Sequence, residues 1–147
     1  MFKKILVATD GSPFSDKAVD CAIDMARVHE AELWVVHVVP RYPTSYFEGA
    51  AHLSADEVGA IEARWTQEAQ RVLRAIAERA ADAGVHARTA TPTGDDVAQA
   101  LLQAAKKHRC DLIVMASHGR QGLRRLLLGS ETQQVLVHSS VPVLVLR

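Results

Sequence analysis

The chain has 147 residues, the size of one ordinary domain: enough to build a core, too short for two. Hydrophobic residues make up 48% and charged residues 23%, which excludes a disordered chain. Lys plus Arg and Asp plus Glu each number 17, so the formal net charge is zero and no general attraction to nucleic acid or an anionic membrane is expected. Cys21 and Cys110 lie in apolar surroundings, which excludes a disulfide framework and predicts buried, reduced thiols. After Met1-Phe2-Lys3-Lys4, the run Ile5-Leu6-Val7-Ala8 is too short for the apolar region of a signal peptide. No stretch approaches the roughly 18 apolar residues of a membrane helix, so a cytoplasmic protein is expected.

In chain order, Lys4 to Thr9 reads as a buried strand that ends in the turn Asp10-Gly11-Ser12-Pro13. Ser12 followed by Pro13 is a helix start, and Ala18, Cys21, Ala22, Met25 and Ala26 keep helical spacing as far as His29. Leu33 to Val39 is a second strand, closed by Pro40. Arg41 to Leu53 has no period but holds Tyr42, Tyr46 and Phe47, and reads as a loop. Ser54 with Glu57 forms a capping box for a long helix whose stripe is Val58, Ile61, Trp65, Ala69, Val72, Ile76 and Ala80, with Gly84 as its stop.

Val85 to Ala90 is a weakly alternating third strand, followed by a turn. Asp95 to His108 is an amphipathic helix, Asp111 to Ala116 a fourth strand, and Ser117 to Leu128 a basic connection containing glycines. Gly129-Ser130 opens a last helix to about His138, and Val141 to Leu146 is a fifth strand. Strands alternating with helices, most strands being continuous apolar runs, predict one α/β domain over residues 1–147 with a parallel sheet covered on both faces.

In such a sheet a ligand lies beyond the carboxyl ends of the strands, where the strand order reverses. Two strand ends carry unusual chemistry: Ala8-Thr9-Asp10-Gly11-Ser12, and Ala116-Ser117-His118-Gly119-Arg120-Gln121-Gly122. Glycines at 119, 122 and 129, the helix start at Ser130, and Arg120, Arg124 and Arg125 suit a phosphate. An ordinary glycine turn followed by a helix start, with the arginines solvated, fits the same residues. The segment is neither a Walker A loop nor a dinucleotide fingerprint, since it lacks Gly-Lys-Ser/Thr and the first turn has only Gly11.

The first strand and its Ala8-Thr9-Asp10-Gly11-Ser12 ending, the His37-Val38 pair, the run from Asp111 to Arg120, and Pro142-Val143-Leu144-Val145 together resemble the universal stress protein family over the whole chain. The family's nucleotide motif is Gly, two residues, Gly, nine residues, Gly, then Ser or Thr. Gly119, Arg120 to Leu128, Gly129 and Ser130 match its second half, and Ala116 stands at its first glycine. The resemblance implies a Rossmann-like open parallel five-stranded sheet of order 3-2-1-4-5 with helices on both faces. It also implies a bound adenine nucleotide, ATP or else ADP or AMP, with or without Mg²⁺ held beside Asp10 or Ser130.

By the same resemblance Ala8, Thr9 and Asp10 lie near the nucleotide and Val38 lies against the adenine. Met115, Ala116, His118, Gly119 and Arg120 run along the ribose and phosphates, and Gly129, Ser130, Glu131 and Thr132 hold the phosphates or the metal. Ala116 costs about 1 kcal/mol or more if the motif's glycine serves a positive φ, and only ligand contact if it does not.

Other residues carry plainer expectations. Ser117-His118 beside Asp10 suggests a triad, but no Gly-x-Ser-x-Gly is present and adjacent side chains leave a strand end in different directions, so no catalytic residue is assigned. His37, His52, His108 and His118 lack metal-ligand spacing, and Trp65 is expected in the core. The apolar fifth strand would be an exposed edge, which pairing with a second copy around a two-fold axis would cover, as the resemblance also implies. The leading function is a dimeric stress-response regulatory protein whose bound nucleotide alters a surface seen by a regulatory protein partner. Slow ATP hydrolysis or autophosphorylation, and a dimeric scaffold without nucleotide, are the alternatives.

Overall fold

A computed structural model of the chain describes residues 1–43, 53–118 and 128–147. Its elements alternate as expected: β1 (Lys4–Ala8), α1 (Pro13–His29), β2 (Glu32–Val36), α2 (Ala55–Asp82), β3 (Ala87–Ala90), α3 (Val97–His108), β4 (Leu112–Ala116), α4 (Ser130–His138) and β5 (Val143–Leu146). The strands form one parallel sheet in the order β3-β2-β1-β4-β5.

The period-two alternation of each strand divides the core. Ile5 and Val7 of β1, Leu33 and Val35 of β2, and Leu112 and Val114 of β4 point to one face, where α1 and α2 cover them with Val19, Ile23, Leu73 and Ile76. Leu6, Val36, Ile113 and Met115 point to the other, against Leu101 and Ala105 of α3 and Val135 of α4. Both faces are covered, which is why these strands read as unbroken apolar runs.

Local chemistry sets the helix starts. The Ser12 hydroxyl accepts from the Ser15 N–H ahead of Pro13. At Ser54 the capping box closes: the Glu57 N–H donates to the Ser54 hydroxyl (3.2 Å) and the Ser54 N–H donates to the Glu57 carboxylate (2.7 Å), which holds that carboxyl below its ordinary pKa. α3 starts later than expected, because the cap is Asp96, whose carboxylate accepts from the Gln99 N–H at 2.9 Å.

Several expectations need correction. Strands β2, β3 and β5 are shorter than the segments expected for them, and β5 begins only at Val143, after Pro142. The stripe by which α2 enters the core is Ala69, Leu73, Ile76 and Ala80, with Leu73 rather than Val72 fully inside. Trp65 is half-buried rather than in the core, stacked on Tyr42 with ring centroids 6.2 Å apart, because the sheet lies under only the C-terminal half of α2. Cys110 is buried as expected, and burial raises its thiol pKa to about 11, but Cys21 is only half-buried, its pKa raised by burial and then by Asp24. The remainder of the aromatic segment, including Tyr46 and Phe47, lies outside the described residues.

At the opposite end from the strand termini of interest, His108 stacks on Trp34 with centroids 3.5 Å apart. The indole N–H donates to Glu32 at 2.6 Å and Arg88 lies over the same ring. Burial, with smaller contributions from Lys107, Lys4 and Arg88 against Glu32, lowers the His108 pKa. The unfolded chain therefore binds this proton more tightly, and stability falls as pH drops below about 6.5. Denaturant midpoints at pH 7.5 and 5.5 are expected to show a smaller acid loss in His108→Gln than in wild type; equal losses would contradict this.

Candidate functional site

β1 and β4 are parallel neighbours, with Ile5, Leu6 and Val7 paired to Leu112, Ile113 and Val114. Their carboxyl ends therefore open at the same end of the sheet. From β1 the chain proceeds to β2 on one side, while β4 leads to β5 on the other, so the two ends flank the reversal in strand order.

The end of β1 is tied by hydroxyl groups. The Thr9 N–H donates to the Val36 carbonyl at 3.0 Å. The Ser15 hydroxyl donates to the Ser12 carbonyl (2.9 Å), so at the 3.0 Å Thr9–Ser15 contact it is Thr9 that donates, while Thr9 Oγ1 accepts from the Gly11 N–H (3.1 Å). The Asp10 carboxylate accepts from the Ser12 N–H at 2.9 Å, an Asx turn, and Gly11 takes the left-handed conformation at φ 75°. Thr9, Ser12 and Ser15 are all buried, and Asp10 is half-buried at the mouth. Ser15 carried no signal in the sequence beyond a polar residue in the first turn of α1.

The end of β4 is tied by main-chain groups. Ala116 is still a strand residue, paired with Leu146, and its φ is not positive. The alanine at the motif's first glycine therefore strains nothing in the backbone. The Ser117 N–H donates to the Leu146 carbonyl (2.7 Å) and its own carbonyl accepts from the Gly129 N–H (2.8 Å). The Thr132 hydroxyl lies 3.1 Å from the Ala116 carbonyl and 3.2 Å from that of Ser117. Gly129 caps α4, with φ −59°, and supplies no side-chain acceptor to the first-turn N–H groups. Ser130 and Glu131 are exposed, whereas Thr132 is buried.

The expected site residues separate into groups. Ala8, Thr9 and Asp10 end or follow β1, Ala116 and His118 end or follow β4, and Gly129 to Thr132 start α4, all tied to this end of the sheet. Val38 lies just beyond β2, where Val39 bridges Thr93, and it is buried; Met115 is also buried, and both side chains belong to the core under α3 and α4. Gly119 and Arg120, with Gly122, Arg124 and Arg125, lie outside the described residues. Ser117 and His118 do not diverge as adjacent strand residues would: the chain has left the strand, and Ser117 Oγ meets His118 Nδ1 at 3.0 Å. The serine is 7% exposed, a poor position for a nucleophile. His118 Nε2 is buried and meets no hydrogen-bond partner among the described residues. No group of three or more His, Cys, Asp or Glu fit to hold a metal occurs among the described residues.

These features define an open, doubly covered parallel α/β protein whose first and fourth strands end side by side where the strand order reverses. The chain belongs to the universal stress protein family, whose sequence model matches residues 1–147. It is 36% identical over 149 residues to universal stress protein YxiE of Bacillus subtilis, the match covering 100% of both chains. Its fold matches universal stress protein UspA from Lactobacillus plantarum with a TM-score of 0.83 and 26% identity, over 99% of this chain and 97% of that one. A universal stress protein solved in complex with cAMP matches with a TM-score of 0.68 and 28% identity, over 99% and 97% of the two chains.

Packing at Gly129 makes a stability prediction. A Cβ there would lie 3.2 Å from the Ser117 carbonyl oxygen, whereas one at Gly59, inside α2, meets nothing within 4 Å. Gly129→Ala is expected to cost about 1 kcal/mol by overpacking, and Gly59→Ala to stabilise by about 0.5–1 kcal/mol. Chemical denaturation reads both, and an unaffected Gly129→Ala would refute the close approach.

Proposed function

We propose that this chain is a stress-response protein that binds an adenine nucleotide at the carboxyl ends of β1 and β4 and acts as a homodimer. The observation that carries the reading is that the α4 start, without a side-chain cap, opens at the same end of neighbouring strands as the Asp10-Gly11-Ser12 turn. The residues fit a phosphate group: first-turn amides and the positive end of the α4 dipole favour an anion, and the Ser130 hydroxyl is exposed beside them. The buried His118 Nε2, without a described partner, adds a second polar atom at this end. The family membership and the relative crystallised with cAMP support the same ligand class.

In this reading ATP, or else ADP or AMP, lays its phosphates on the amides of Ser130, Glu131 and Thr132. Thr9 spends its hydroxyl proton on Ser15, so it shapes the turn rather than donating to the ligand. Val38 and Met115 support the base side from within the core. Mg²⁺ bound to the phosphates would offset the Glu131 carboxylate and reach Asp10 or Ser130.

Calorimetric titration of ATP, with and without Mg²⁺, tests the reading. Wild type is expected to bind with a Kd of micromolar order, about −8 kcal/mol, and Ala116→Gly to stay within about threefold. No heat, together with no nucleotide released by acid from the purified protein, would favour the scaffold instead.

The dimer rests on β5, an edge strand whose four residues are all half-exposed, and on α4 packed against it, which exposes Leu136 and Val137. Pairing with the same strand of a second copy would cover both. Sedimentation at micromolar concentration should give twice the chain mass, and Val145→Lys the mass of one chain; a wild-type monomer would contradict it.

A further inference from the structure

We propose that Thr132 is a positioning residue: its hydroxyl locks the first turn of α4 onto the end of β4 and thereby aims the helix's amides. The inference rests on the nucleotide reading for its functional consequence, but the geometry stands by itself. A threonine hydroxyl inside a helix ordinarily bonds back to a carbonyl of its own preceding turn. This one reaches out of the helix, to the carbonyls of Ala116 and Ser117 at 3.1 and 3.2 Å. Thr132 is 3% exposed and Ser117 7%, so water does not compete for the contact. The N–H of Gly129 anchors the same helix to the Ser117 carbonyl at 2.8 Å.

Val135 seats the body of α4 in the core, and the Gly129 N–H is the first anchor of its N-terminal turn. The second, three residues further along the chain, fixes the direction in which the amides of Ser130, Glu131 and Thr132 point. The Thr132 hydroxyl thus acts through the main chain, while its own N–H belongs to the anion site. Sites of this kind lose affinity when their supports are loosened by as little as an ångström.

The test compares wild type, Thr132→Val and Thr132→Ser. Amide hydrogen exchange at Gly129 is measured without ligand, and ATP affinity by calorimetry with Mg²⁺. Thr132→Val should exchange the Gly129 amide about tenfold faster and raise the Kd about tenfold, the loss seen when outer supports of other binding sites are removed, while Thr132→Ser restores both. Unchanged exchange in Thr132→Val overturns the proposal. A wild type with no ATP affinity overturns the nucleotide reading instead, and the exchange comparison then decides the clamp alone. If Thr132→Val does not fold, Thr132→Ser carries the test: tenfold weaker binding despite its retained hydroxyl overturns the proposal.

Discussion

The backbone of Ser117 holds three parts of the molecule in register. Its N–H donates to Leu146 at the end of β5, and its carbonyl receives the Gly129 N–H and lies within reach of the Thr132 hydroxyl at the start of α4. The connection from His118 to Leu128 would otherwise leave its two ends to find each other against loop-closure entropy. These bonds join them directly, where the last strand of the sheet also ends. A ligand on α4 and a second copy on β5 would therefore both bear on the backbone of Ser117.

The end of β1 is organised by the same economy. A chain of buried hydroxyls runs from the Gly11 N–H through Thr9 and Ser15 to the Ser12 carbonyl, so the turn is settled before any ligand arrives. A ligand that met this turn would find it already formed, which lowers the entropic cost of that contact. The zero net charge gives no broad field to gather anions, so attraction for one at this end would have to come from local groups.

The order of elements was legible because every strand but the weakly alternating β3 is an apolar run and most helices carry a cap visible in sequence, Ser12-Pro13 and Ser54 with Glu57 above all. Helix ends were less so: α1 and α3 stop at Glu30 and Arg109, both left-handed without being glycine. The stripe of α2 was misjudged at Trp65 because periodicity reports which residues share a face, not how far the sheet extends beneath it. The strand ends that carry the candidate site were found from residue type. The ties between them were not, since a main-chain bond such as Ser117 to Leu146 leaves no mark in the side-chain sequence. Ala116 shows the complement: sequence offered two reasons for a glycine there, and only the backbone conformation removes one of them.

The most direct measurement is a backbone ¹⁵N–¹H NMR titration of the chain with Mg²⁺ and ATP. The account predicts shifts concentrated at Gly11, Ser12, Ser117, Ser130, Glu131 and Thr132, saturating together. Shifts confined to the opposite end of the molecule, in the groove of Lys106, Arg109 and His138, or absent altogether, would contradict it.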